Sequence, residues 1–244
     1  MNFFDYGDVR FLHCGSPAVQ GSMRISKPFD IHLEYQQRMM GWLLFTDLAK
    51  INQLHAMQLG LGAGSLTKFC NQTLGMQTTA VELNLQVIEM CRRWFFLPED
   101  NHSLEVIQGD AAEIILRKEW IGKIDVLQVD LYDQDAQCPV LDTEQFYGNC
   151  KQILTANGVM TVNVFGLQSN IHESANKIAK VFGNSSVWKF KPTTAGNSII
   201  IALGAPNILS QDELTARALA IEARCSLPAS QWIKALVPPA LSST

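Results

Sequence analysis

The chain lacks any apolar run long enough to cross a bilayer. The longest, Gly41-Trp42-Leu43-Leu44-Phe45, falls far short of the roughly 20 residues a membrane helix needs. Met1-Asn2-Phe3-Phe4-Asp5-Tyr6 has neither the basic start nor the apolar centre of an export signal, so a cytoplasmic protein with no membrane partner is expected. Positive charge is not in excess either. The formal net charge of -4 offers no field for a phosphate backbone, and no nucleic-acid partner is expected. Paired cysteine motifs are absent: Cys14, Cys70, Cys91, Cys138, Cys150 and Cys225 contain no C-x-x-C and no His at ligand spacing, which implies buried thiols, no disulfides and no metal. Charged residues are sparse at 17% against 47% hydrophobic, which excludes extended disorder. A chain of 244 residues can bury one sizeable α/β core with small appendages at its ends.

What is present centres on residues 56–82. Ala56-Met57-Gln58-Leu59 is a short strand that stops at Gly60-Leu61-Gly62-Ala63-Gly64; an amphipathic stretch follows, and Thr78-Thr79-Ala80-Val81 leads to Glu82. Glycines at alternate positions between a strand and a helix allow a sharp turn and let a ligand approach the backbone. An acid at the tip of the next strand is placed to accept from both hydroxyls of a ribose. Gly60, Gly62, Gly64 and Glu82 are therefore candidate nucleoside-binding residues. Ser65 stands where no third dinucleotide-type glycine follows, which favours an adenosyl sulfonium compound over NAD.

Around this unit, residues 9–13 and 18–24 predict a hairpin across a Gly/Pro loop, and residues 31–50 show apolar spacing of a helix, with Tyr35 able to reach a ligand. Helices are expected over 84–96, capped by Asn84 and ended by Pro98, and over 112–118, 142–154, 170–182 and 211–223. Strands are expected at 104–107, 124–129, 158–165, 186–190 and 198–203, the last two joined without a helix and so antiparallel. The expected architecture is a Rossmann-like, mostly parallel seven-stranded sheet with an antiparallel last strand, divided as a β-hairpin lid (1–30), a nucleoside-binding domain (31–208) and a helical extension (209–244). Asp110, with Ala111, ends the third strand, placed either for an adenine amino group or as a helix cap. The fourth strand delivers Asp130 to the carboxyl edge, where open α/β sheets bind ligands. Its loop carries Asp133 and Asp135.

These motifs resemble the spermidine synthase family of polyamine aminopropyltransferases, from about Val9 to Leu203. The family's early glutamine matches Gln20, its Y-H-E stretch Tyr35-Gln36-Gln37, its G-G-G-D-G turn Gly60 to Gly64, its G-D-A element Gly109-Asp110-Ala111, and its D-S-T-D-P loop Asp130-Leu131-Tyr132-Asp133-Gln134. The late P-T-Y-P-x-G is similar to Pro192-Thr193-Thr194-Ala195-Gly196. The resemblance implies a methyltransferase-type fold and transfer of an aminopropyl group from decarboxylated S-adenosylmethionine to an amine. Asp130 would act as base, Gln20, Gly60, Gly62, Gly64, Glu82, Asp110 and Ala111 would hold the nucleoside, and Tyr35, Asp133 and Asp135 would hold the amine, with no metal. Ala63 replaces the family's turn aspartate and Thr194 its late tyrosine. Two rivals stay open: a methyltransferase using intact S-adenosylmethionine, and a non-catalytic nucleoside- or polyamine-binding protein. A homodimer is compatible with each.

Overall fold

A computed structural model describes residues 2–13, 19–132, 141–166 and 168–239. In chain order, strands β1 (Asn2–Tyr6), β2 (Val9–His13) and β3 (Val19–Arg24) precede helix α1 (Glu34–Met39), β4 (His55–Leu59), α2 (Ser65–Lys68), β5 (Gln77–Glu82), α3 (Leu85–Trp94), β6 (Leu104–Gln108), α4 (Ala111–Ile114) and β7 (Ile124–Val129). Then come α5 (Glu144–Ile153), β8 (Leu154–Phe165), α6 (Gln168–Phe182), β9 (Val187–Phe190), β10 (Asn197–Leu203), α7 (Gln211–Cys225), α8 (Ala229–Ala235) and β11 (Leu236–Val237).

Strands β4 to β11 form one sheet in the order β11-β9-β10-β8-β7-β4-β5-β6, beside a separate antiparallel sheet β1-β2-β3. The pairs β4–β5, β5–β6, β4–β7 and β7–β8 are parallel, whereas β10 runs antiparallel between β8 and β9. The chain winds outward from β4 through β5 to β6, then returns to the other side at β7. The reversal lies between β4 and β7, where such sheets open a crevice at their carboxyl ends.

Side chains alternate across the sheet because successive strand residues face opposite ways. On one face Ala56, Val126, Ile199 and Ile201 pack with Met39, Met40, Trp42 and Phe69, and with residues of α7 and α8. On the other, Met57, Leu127, Met160 and Ile200 pack with Ile114, Phe146, Tyr147, Ile171 and Ile178 from α4, α5 and α6. A smaller third core joins Leu12 and Met23 to Leu61, Ala63, Val87, Cys91 and Phe95. Arg10 ties that sheet down, donating to Trp94 O at 2.7 Å and pairing with Asp5.

Several elements differ from the sequence expectation. The main sheet has eight strands rather than seven, because the edge pair Leu236↔Phe190 and Val237↔Lys189 is too short to leave a periodic signal. The amino-terminal hairpin gains a third strand, Asn2–Tyr6, whose residues are mostly exposed and so lack apolar alternation. The single helix expected over 31–50 is instead α1 followed by 3₁₀ segments Met40–Phe45 and Leu48–Gln53. Gly41 explains the break, since a Cβ there would lie 2.7 Å from the Phe190 ring; the backbone must come close, and glycine weakens the helix. Helix α3 is capped by Asn84, which accepts from Gln86 N, but stops at Trp94, well before Pro98. Phe96 takes a left-handed φ of 57° there, and Leu97 N donates back to Cys91 O. The described cysteines Cys70, Cys91, Cys150 and Cys225 are buried, while Cys14 and Cys138 lie outside the described residues.

Lys68 is a buried cation beneath the glycine turn, and its Nζ donates to Phe95 O at 2.6 Å, satisfying a carbonyl at the end of α3. Burial pulls its amine down to about 8 from 10.5. Below pH 8 the fold carries the full cost of the charge. Between pH 8 and 10.5 the folded chain releases the proton before the unfolded chain does, so stability rises with pH. Relative to Lys68→Met, the wild type should gain on the order of 3 kcal/mol across that window, measured by urea unfolding at both ends. Parallel stability curves for the two proteins would contradict this.

Candidate functional site

The turn after β4 departs from ordinary backbone at each glycine: φ is 85° at Gly60, 53° at Gly62 and 68° at Gly64. Between them, Leu61 and Ala63 point into the third core, and both are buried. This alternation leaves the half-buried backbone of Gly60 and Gly62 as the less covered side of the turn, while Gly64 is buried. A Cβ at Gly60 would sit 2.2 Å from Asp130 O, and one at Gly62 would sit 3.0 Å from Gln20 O. Strand β3 thus runs against the turn on one side and the end of β7 on the other. Ser65 Oγ donates to Ser22 O at 3.1 Å, and Gly21 leaves room for Ala63.

Glu82 is fixed at the tip of β5 by two backbone donors, Leu61 N at 3.0 Å on Oε2 and Asn84 N at 2.9 Å on Oε1. A carboxylate offers about four acceptor positions, so capacity for two ribose hydroxyls remains. Across the switch, Asp130 N donates to Leu59 O at 2.9 Å, which brings the first residue after β7 level with the glycine turn. Its carboxylate accepts from Asn163 Nδ2 at 2.8 Å and from the Tyr35 hydroxyl at 3.2 Å. Burial pushes the Asp130 carboxyl above the ordinary range, and these two donors pull it back in part. Burial first, and then the Asp130 charge, holds the Tyr35 phenol protonated well above its usual range.

The structure therefore brings Gly60, Gly62, Gly64, Glu82, Asp130, Tyr35 and the backbone of Gln20 to one edge of the sheet. Asp110 and Ala111 stand one strand further out, at the end of β6, where Gly109 N donates to Glu82 O. Asp110 caps α4 through Ala112 N at 2.8 Å. Its side chain is exposed, so the capping alternative is realised while an oxygen stays open to solvent. Asp133 and Asp135 lie outside the described residues. Among the described residues, no group of three His, Cys, Asp or Glu side chains is placed to hold a metal, and no helix is long and apolar enough to cross a membrane.

Three amides at this edge escaped the sequence reading. Gln36, beside Tyr35, is buried with Oε1 unpartnered among the described residues. Asn163 reaches Asp130, and Asn197 Nδ2 donates to Asn163 Oδ1 at 3.1 Å. The available signal was an amide inside the apolar run Val162-Asn163-Val164, because a buried amide requires partners. Gln20 Nε2 is likewise buried and unpartnered beside the turn. An orphaned donor on Gln20 and an orphaned acceptor on Gln36, at the edge that carries the glycine turn, fit a polar adenosyl ligand.

Two substitutions probe this geometry. Gly60→Ala combines a positive φ with a backbone overlap at Asp130, and should cost about 2 kcal/mol or more in urea unfolding. Glu82→Gln sets an amide NH₂ against one of two backbone donors, and should weaken methylthioadenosine binding by at least about tenfold in calorimetry. Wild-type behaviour of either variant would contradict the placement of its residue.

No protein-family model matches the chain. It is 32% identical to a polyamine aminopropyltransferase of Chromobacterium violaceum over 94% of this chain and 86% of that one. Against a polyamine aminopropyltransferase of Neisseria meningitidis serogroup A it is 33% identical, over 87% and 79% of the two chains. In fold it is similar to a probable spermidine synthase from Corynebacterium glutamicum, with a TM-score of 0.73 at 18% identity over 99% of this chain and 94% of that one. It is also similar to human methyltransferase-like protein 13 in complex with SAH, with a TM-score of 0.69 at 21% identity over 87% and 97%. With a glycine turn, an acid at the tip of the next strand and a strand-end carboxylate on one edge of a methyltransferase-type sheet, and with relatives at this identity and coverage, the chain is a transferase belonging to the polyamine aminopropyltransferase family.

Proposed function

We propose that this chain transfers the aminopropyl group of decarboxylated S-adenosylmethionine to a small amine in the cytoplasm. One observation carries the reading: the main chain of Asp130, at the end of the switch-point strand, stands against Gly60 of the glycine turn, which puts a buried carboxylate beside the proposed nucleoside cradle. The reaction is a displacement at carbon. The amine lone pair forms the new C–N bond, the C–S bond breaks, and its electrons leave on sulfur as neutral methylthioadenosine. An ammonium has no lone pair, so a base must take a proton from the nitrogen, and the buried Asp130 is suited to it because a raised carboxyl is the stronger acceptor. Tyr35, protonated and within hydrogen-bond reach of that carboxylate, helps hold the amine in line.

In this reading Glu82 orients the ribose, and the backbone of Gly60, Gly62 and Gly64 with the Gln20 amide lines the sulfonium side. Asp110 and Ala111 meet the adenine, and Asp133 and Asp135 meet the distal cation of the amine. Residues 1–30 serve as a lid, 31–208 as the nucleoside-binding domain and 209–244 as a supporting extension. The Ala63 methyl is fully buried and pressed against Gly21, so position 63 supplies no carboxylate for the amino end of the donor. That observation favours a second reading, methyl transfer from intact S-adenosylmethionine, whose carboxylate would meet no like charge at the turn.

Incubating the protein with putrescine and decarboxylated S-adenosylmethionine should give a product heavier by one aminopropyl group, together with methylthioadenosine, by mass spectrometry. Asp130→Asn should lower kcat by about a hundredfold or more. A variant within a few-fold of wild type removes Asp130 from the chemistry. Thermal midpoints separate the donors, since a ligand that binds only the folded state raises the midpoint. A larger rise with the decarboxylated compound supports aminopropyl transfer, and a larger rise with the intact one supports methylation.

A further inference from the structure

We propose that Asn163, aimed by Asn197, is a positioning residue that fixes the plane of the Asp130 carboxylate and leaves Oδ2 as the oxygen that receives the proton. The inference rests on the assignment of Asp130 as base. Asn163 Nδ2 donates to Oδ1 at 2.8 Å, a short bond that anchors this oxygen, whereas Oδ2 has only the longer contact to Tyr35 at 3.2 Å. An ionised carboxylate is an acceptor only, so the amide must present its NH₂ to Asp130. The Asn163 carbonyl oxygen then faces away, where Asn197 Nδ2 meets it at 3.1 Å and prevents the amide from flipping.

Asn197 is itself bracketed. Thr193 N donates to Asn197 O at 2.7 Å, Asn197 N donates to Thr193 Oγ1 at 3.1 Å, and Gly196 N closes the turn on Thr193 O at 3.0 Å. The segment between β9 and β10 therefore acts on the carboxylate from two strands away, through a chain of buried amides. Asn163 and Asn197 are both nearly inaccessible at 3% and 9% exposure, so water cannot replace either without rearrangement. Tyr132 fixes the same residue from the other side, its hydroxyl donating to Asn163 O at 2.7 Å.

During transfer the proton leaves the amine nitrogen for Oδ2 as the C–N bond forms and the C–S bond breaks. Asn163 keeps Oδ1 engaged throughout, so the base neither rotates nor takes a proton at its buried oxygen. Among the described residues, the titratable group hydrogen-bonded to Asp130 is Tyr35 from α1, and Tyr132, beyond β7, bears on Tyr35 and on Asn163. Tyr35 stays protonated through the neutral range, which leaves Asp130 to set the acid limb of the rate.

The test is a carbon-13 titration of aspartate carboxyls in the full-length protein, with the Asp130 signal identified by its loss in Asp130→Asn. Loss of a donor to the charged form raises a carboxyl, so Asn163→Leu should move the Asp130 midpoint up by about one pH unit, and the acid limb of kcat/KM with it. Asn197→Ala should move both in the same direction by less, and it decides the matter if Asn163→Leu does not fold. Methylthioadenosine affinity should stay within about twofold, since neither amide belongs to the nucleoside side. A midpoint within about 0.3 of wild type overturns the inference whatever reaction the enzyme runs. A moved midpoint with an unmoved rate limb upholds the positioning and overturns Asp130 as the base.

Discussion

The structure depends on how closely two strand ends approach at the switch point. With Asp130 O only 2.2 Å from where a Cβ at Gly60 would be, the main chain after β4 must pass within contact distance of the main chain after β7. Only glycine at a left-handed φ allows this. Once the approach is made, the turn cannot drift from the carboxylate, because Gly60 N is held by Val81 O and Asp130 N by Leu59 O. The turn proposed as nucleoside cradle and the carboxylate proposed as base are thereby fixed to the same backbone.

The second constraint is the division of the turn into two faces. Leu61 and Ala63 are buried under the amino-terminal sheet with Leu12 and Met23, and that anchorage leaves Gly62 between them half-buried. The small sheet is therefore part of the foundation of the turn, in addition to its proposed part as a lid. The same packing explains why an acid cannot be regained at position 63 without displacing β3, since a Cβ at Gly21 would already meet Ala63 at 2.7 Å. Amides take over much of the polar work: Gln58 Nε2 supports Gly60 O at 2.8 Å, while Asn163 supports Asp130.

Much of the fold was legible because its signals are local. The apolar runs of β4 to β8 and β10, the Asn84 cap and the missing helix between β9 and β10 each leave a mark in a few neighbouring residues. Of the site, the glycine turn, Glu82 and Asp130 were legible because they sit at strand ends, where chain order alone gives position. The break in the helix at Gly41 was hidden because its cause, the Phe190 ring, lies far away in sequence. Asn163 and Asn197 were hidden for the same reason: an amide within an apolar run announces that it needs a partner but not which one. The edge strand Leu236–Val237 is simply too short to show a period.

The central claim is that a single edge of the sheet holds an adenosyl compound between the glycine turn and Asp130. Backbone amide shifts on titrating methylthioadenosine test it most directly. The account predicts the largest changes at Leu61, Gly62, Ala63 and Asn84, with smaller ones at Asp130 and Asn163, and little along α6 or α7. Changes centred away from the ends of β4, β5 and β7, or no saturable change at all, would contradict it.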